Sequence, residues 1–188
     1  MIRWGGSRGS SLDMAARDVR YDLLKVLLVD DNHHMRVMLS EILRAIGVRT
    51  IYEASDGAEG LQVLRNHPVE IIMTDLAMAP LDGIDFVRLL RKTKGPSQTT
   101  PVIMITGHCT LARVIEARNA GVDEFLAKPL TARGVLDRVG LVIDHPRNYV
   151  RTESYFGPDR RRHTHNPNWE GPWRRENDTE QMRAVQEI

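Results

Sequence analysis

The sequence predicts an α/β sandwich, a doubly wound parallel sheet of five strands between two layers of helices. Three observations predict it. From about Leu23 to Ile143, short runs of branched apolar residues alternate with helical periods. Most of these runs are nearly continuous in apolar character rather than alternating, which suits parallel strands covered on both faces. Of the 188 residues, 41% are hydrophobic and only one is cysteine, so a core must form without an internal disulfide.

The elements follow in order. Lys25-Val26-Leu27-Leu28-Val29 is the first strand. Met35, Met38, Leu39, Ile42, Leu43 and Ile46 repeat at three and four and make the first helix, with Gly47 as its C-terminal stop. Val48 to Ala54 alternates and forms the second strand, and Ala58, Leu61 and Leu64 stripe the helix after it. Val69 to Thr74 is the third strand, followed by a helix carrying Ile84, Val87 and Leu90. Val102 to Ile105 follows Pro101 as the fourth strand, and Leu111, Val114 and Ile115 open a helix that Gly121 ends. Glu124 to Ala127 is the weaker fifth strand. Val135, Leu136, Val139, Val142 and Ile143 make the last helix, with Thr131 placed as its N-cap.

Composition narrows the function classes. A formal net charge of +1 gives no global reason to expect nucleic-acid binding. No stretch approaches the roughly 18 uninterrupted apolar residues of a membrane span. The Gly/Ser-rich start, Met1 to Ser11, lacks the apolar segment of a secretory signal, and Met14 is an alternative start. A single cysteine and no signal make the cytoplasm the expected location. The expected organisation is a flexible extension over 1–21, a folded domain over 22–145 and an irregular tail over 146–188.

Chemistry is concentrated at the strand ends. In doubly wound sheets, ligands sit beyond the carboxyl ends of the strands. The first strand ends in Asp30-Asp31, the third in Asp75, the fourth in Thr106 and the fifth in Lys128-Pro129. Taken singly, each has a dull explanation: Asp caps helices, Thr makes turns, and Lys is a solvated charge. Together, three carboxylates at one sheet edge repel unless a cation neutralises them. Hard oxygen donors suit Mg²⁺.

This ordered set resembles the receiver domain of two-component response regulators over roughly residues 22 to 145. Asp75 to Gly83 is similar to the loop after that family's phosphorylated aspartate, and Gly121 to Pro129 to its last strand. The resemblance implies a flavodoxin-like sheet of strand order 2-1-3-4-5. It implies that Asp75 takes a phosphoryl group from a histidine kinase or histidine phosphotransfer protein. Asp30, Asp31, Asp75 and the carbonyl of Ala77 would hold Mg²⁺. Lys128 would pair with the phosphoryl oxygens, aimed by a cis bond to Pro129, and Thr106 would donate to the phosphoryl group. Phe125 stands where the family carries an aromatic switch, with an ordinary core aromatic as the equal alternative. The output face would be the segment 111–143.

Two departures carry information. Pro80 stands one residue later than the family's usual proline, which predicts a shifted loop path. Ala77 and His108 border the phosphoryl position. Ala77 has no polar atom to hold a hydrolytic water, while His108 is either a phosphoryl contact or a solvated loop residue, so self-dephosphorylation is expected to be slow to moderate. Cys109 and the pair His33-His34 show no zinc spacing.

From Pro146 the periodic pattern stops. Tyr149, Tyr155, Phe156, Trp169 and Trp173 lie among arginines, over a stretch 147–173. Three readings stand: a solvating tail, a docking segment for a partner or for the domain's own surface, and a minor option of nucleic-acid contact through Arg160-Arg161-Arg162. The whole reads as a stand-alone response regulator that binds proteins when phosphorylated and is not a turnover enzyme. Alternatives are a phosphate shuttle or sink, or an adaptor acting through its tail beside a vestigial pocket. A phosphatase of the haloacid-dehalogenase kind would need an acid where Ala77 stands.

Overall fold

In the computed structural model, residues 20–107, 110–153 and 155–160 are described. Five strands alternate with five helices: β1 (Lys25–Val29), α1 (His33–Ala45), β2 (Thr50–Ala54), α2 (Gly57–Asn66), β3 (Ile71–Asp75), α3 (Gly83–Lys92), β4 (Val102–Thr106), α4 (Leu111–Ala120), β5 (Glu124–Ala127) and α5 (Ala132–Asp144). The sheet order is β2-β1-β3-β4-β5, and all four pairings are parallel. The predicted fold class and strand order are therefore those of the structure.

The strand side chains alternate between two apolar layers. Leu27, Val29, Ile72, Val102 and Met104 share one core with α2, α3 and α4, centred on the fully buried Phe86. Val26, Leu28, Ile71, Met73 and Ile103 share the other with α1 and α5. This two-sided burial explains why β3 and β4 read as continuous apolar runs.

Caps set the helix starts. Asn32, not either aspartate before it, caps α1 by accepting from the His34 and Met35 amides. Asp56, Asp82, Thr110 and Thr131 cap the remaining four helices in the same way. Gly121 sits at φ +106° and closes α4 in the left-handed conformation.

The segment after Pro146 is not irregular throughout: over 149–158 it packs on the domain's own surface, one of the three readings the sequence left open. Tyr149–Arg151 (β6) and Phe156–Pro158 (β7) form an antiparallel hairpin. It is seated at the amino ends of β4 and β5, opposite the predicted site. There the Tyr149 hydroxyl donates to Asp123 at 3.1 and 3.2 Å, and Arg147 pairs with Glu124 at 2.8 Å. Gly157 lies so close to the Gly121 backbone that a Cβ would come within 3.1 Å of it. Strands of three residues are too short to show a period, and Gly157-Pro158 are poor strand formers, so tertiary contact holds the hairpin. Of the basic triplet only Arg160 is described, and it stacks over Tyr155 at 4.0 Å. Trp169, Trp173 and the segment 1–19 lie outside the described residues.

Candidate functional site

Register brings the strand-end residues to one edge. The Asp30 amide donates to Ala54 at the end of β2, the Leu76 amide to Ile105 of β4, and the Lys128 amide to Thr106. Asp30, Asp75, Thr106 and Lys128 thus stand at the carboxyl ends of four strands that are consecutive neighbours in the sheet.

Asp75 is the centre. It is buried, its Oδ1 lies 2.7 Å from Lys128 Nζ, and its Oδ2 accepts the Ala77 amide at 3.2 Å. The Lys128–Pro129 peptide bond is cis, as is Ala79–Pro80 in the loop after Asp75. That loop is closed by the Gly83 amide on the Leu76 carbonyl at 3.1 Å. Gly83 is required there: a Cβ would overlap the Asp75 carbonyl oxygen. The loop accommodates the later proline without displacing Asp75 from the strand end.

Asp30 is 1% exposed. Its Oδ1 accepts the Asn32 amide at 2.8 Å. Its Oδ2 is buried and has no hydrogen-bond partner among the described residues. Burial pushes the Asp30 carboxyl above its ordinary range; the Asn32 amide and Lys128 pull it down, while the charges of Asp75 and Asp31 add to the rise. The Thr106 hydroxyl is likewise buried without a described partner. Buried polar atoms are usually hydrogen-bonded, so two without described partners at one sheet edge suit the approach of a ligand.

Asp31, next in the chain after Asp30, and Ala77, two residues after Asp75, are both exposed. Among the described residues, no group of three or more His, Cys, Asp and Glu side chains gathers as a preassembled metal cluster. The donors still fit a hard cation: Asp30 and Asp75 are oxygen donors, and Asp30 Oδ2 has an unmet need for a positive partner. Phe125 is half-buried against the core that holds Phe86. Its backbone carbonyl accepts from Arg138 of α5 at 2.8 Å. His108 and Cys109 lie outside the described residues.

Sequence reasoning missed the supports. Arg36 of α1 donates to the Asp30 carbonyl at 2.7 Å and pairs with Glu53 at 3.2 Å, bracing the first acidic turn. At the opposite end of the sheet, Arg91 of α3 is buried with all five N–H groups used. They reach the carbonyls of Gly121, Gln98 and Thr100, and Asp123 Oδ2 at 2.9 Å. Burial pushes the Asp123 carboxyl up, opposed by Arg91, the Val102 amide and Tyr149. A basic residue near a helix C-terminus is ordinary in sequence, so no local signal pointed to Arg91.

Comparison with known proteins agrees with the fold. Residues 26–140 match the response regulator receiver domain. Chemotaxis protein CheY-3 of Vibrio cholerae is 31% identical over 121 residues, which is 64% of this chain and 92% of that protein. A probable chemotaxis protein CheY of Rhizobium etli is 33% identical over 108 residues, covering 57% and 83% of the two chains. The solved structure of Vibrio cholerae chemotaxis protein CheY4 aligns with a TM-score of 0.59 at 28% identity, over 63% of this chain and 98% of that one.

Proposed function

The chain belongs to the response regulator receiver family, and from that premise we propose that Asp75 accepts a phosphoryl group from a phosphohistidine on a partner kinase or phosphotransfer protein. The observation that carries this reading is the Asp75 carboxylate, buried at the end of β3 with Lys128 Nζ at 2.7 Å and, on the adjacent strand, the Thr106 hydroxyl, which has no partner among the described residues.

In the proposed transfer, an Asp75 oxygen forms the new P–O bond as the P–N bond to the donor histidine breaks. The histidine leaves with its electron pair and takes up a proton. Lys128 pairs with the carboxylate beforehand and turns to the phosphoryl oxygens afterwards. Thr106 donates its hydroxyl to the same group, which satisfies an oxygen otherwise buried without a partner. Asp30 and Asp75, with Asp31 and the Ala77 carbonyl at the rim, are the residues that would hold Mg²⁺. When bound, that ion supplies charge neutralisation for the phosphoryl oxygens. The Thr106 contact draws the end of β4 inward, and Phe125 on the neighbouring strand is the side chain placed to answer it. Output is protein binding through the segment 111–143, in a phosphoacceptor rather than a turnover enzyme, and the cytoplasm is its proposed location. Among the described residues no helix is long and apolar enough to cross a membrane.

The test is intact mass after incubation with acetyl phosphate and Mg²⁺. The wild type should gain one phosphoryl group, and Asp75→Asn should gain none. An unmodified wild type, or an equal gain in the variant, overturns the assignment.

A further inference from the structure

The first helix of the proposed output face is held unevenly. α4 buries fully only two side chains, Ala117 and Ala120, both in its second half. That half is pinned from below: the Val122 amide returns to Ala117, and Arg91 donates to the Gly121 carbonyl at 2.9 and 3.1 Å. The first half begins with Leu111, which is 39% exposed. It has little apolar anchorage, and charged groups take its place.

These charges form one chain of pairs across α3 and α4. Asp82 Oδ1 accepts the Asp85 amide at 2.8 Å and so caps α3, while Asp82 Oδ2 takes Arg113 Nη2 at 2.8 Å. Arg113 also reaches Glu116 at 2.8 Å, Glu116 reaches Arg88 at 2.7 Å, and Arg88 returns to Asp85 at 2.7 Å. Single exposed pairs contribute little, but here two guanidinium groups each bind two carboxylates in a closed network. Asp82 is also the residue before Gly83, whose Cα lies against the Asp75 carbonyl. One carboxylate therefore links the backbone behind Asp75, the start of α3 and the loosely packed half of α4.

We propose that Asp82 and Arg113 form a latch that sets the resting position of the first half of α4, so that its strength fixes how far the output face answers modification of Asp75. The idea rests on the phosphoacceptor reading for its trigger, but the latch itself exists in the unmodified chain. Both residues act through α4 and are positioning residues. The device is distinct from the Thr106–Phe125 path, which enters through β4 and β5.

The experiment is amide hydrogen exchange on the full chain, with intact mass recorded on the same samples. Asp82→Asn keeps an efficient helix cap and removes the charge, and Arg113→Gln removes the opposite charge at similar length. In both unmodified variants, amides of 111–117 should exchange about three- to tenfold faster than in wild type, the scale expected for a lost ion-pair network. Amides of β3, β4 and β5 should keep their wild-type protection. Raising salt should bring the wild type towards the variants. After acetyl phosphate and Mg²⁺, the further change in α4 exchange should be smaller in the variants than in wild type. Wild-type exchange across 111–117 in both unmodified variants overturns the latch. So does an unaltered response to phosphorylation in variants whose mass shows full modification. If the wild type gains no phosphoryl group, the phosphoacceptor reading fails, while the comparison of unmodified chains still decides the latch.

Discussion

Removing one hydroxyl from the C-terminal hairpin should measure how firmly it belongs to the domain. Tyr149→Phe keeps the ring, and with it the stacking of the Arg91 guanidinium at 5.0 Å. It deletes the O–H that donates to Asp123 at 3.2 Å on Oδ1 and 3.1 Å on Oδ2. Asp123 Oδ2 retains Arg91 at 2.9 Å and the Val102 amide at 2.8 Å. Oδ1 loses its hydroxyl donor inside a residue that is 5% exposed. A hydrogen bond to a buried charged group contributes about 1.5–3 kcal/mol, so a loss of about 2 kcal/mol is expected. For a folded unit of this size, that lowers the unfolding midpoint by about 6 °C. The assay is thermal and urea unfolding of the full chain, followed by far-UV circular dichroism. A midpoint within about 1 °C of wild type would refute the reasoning, since the hairpin would then not be seated on Asp123.

Four further outcomes are expected. Burial raises the Tyr149 phenol well above its ordinary value, so the folded state keeps it neutral where the unfolded chain ionises; the stability it contributes is full below about pH 10 and falls as pH rises above it, a loss Tyr149→Phe should reduce in alkaline unfolding. Asp30→Asn should stabilise the divalent-free chain by about 1 kcal/mol in urea unfolding, because it removes a buried charge, and it should abolish phosphoryl uptake by intact mass. Gly83→Ala should cost about 1–3 kcal/mol, because the added Cβ has no room beside the Asp75 carbonyl; retention of wild-type stability would count against the close approach. Ala77→Asn should shorten the phosphoryl lifetime about tenfold by holding a water beside Asp75, read as phosphate release over time.

The sandwich was legible because its signals are local. The apolar runs of β3 and β4 and the stripe of α1 are properties of neighbouring residues, and so are Thr131 before α5 and Gly121 after α4. Even the edge chemistry follows from chain order: once Asp30, Asp75, Thr106 and Lys128 each end a strand of one parallel sheet, they must share one rim. Which of the three readings holds between 146 and 160 was not legible, because nothing local holds the hairpin together. Its strength lies in Tyr149 meeting Asp123 across 26 residues and Arg147 meeting Glu124 across 23.

By itself, then, the order of amino acids determined the layers, the strand sequence and which side chains reach the rim, since periodicity and capping act over a few residues. Only packing in three dimensions decided that Asn32 rather than an aspartate caps α1, that Asp30 Oδ2 is left without a partner among the described residues, that Arg91 spends every donor at the amino end of the sheet, and that Asp82 reaches Arg113. Those are contacts between groups distant along the chain, and their geometry depends on where whole elements come to rest.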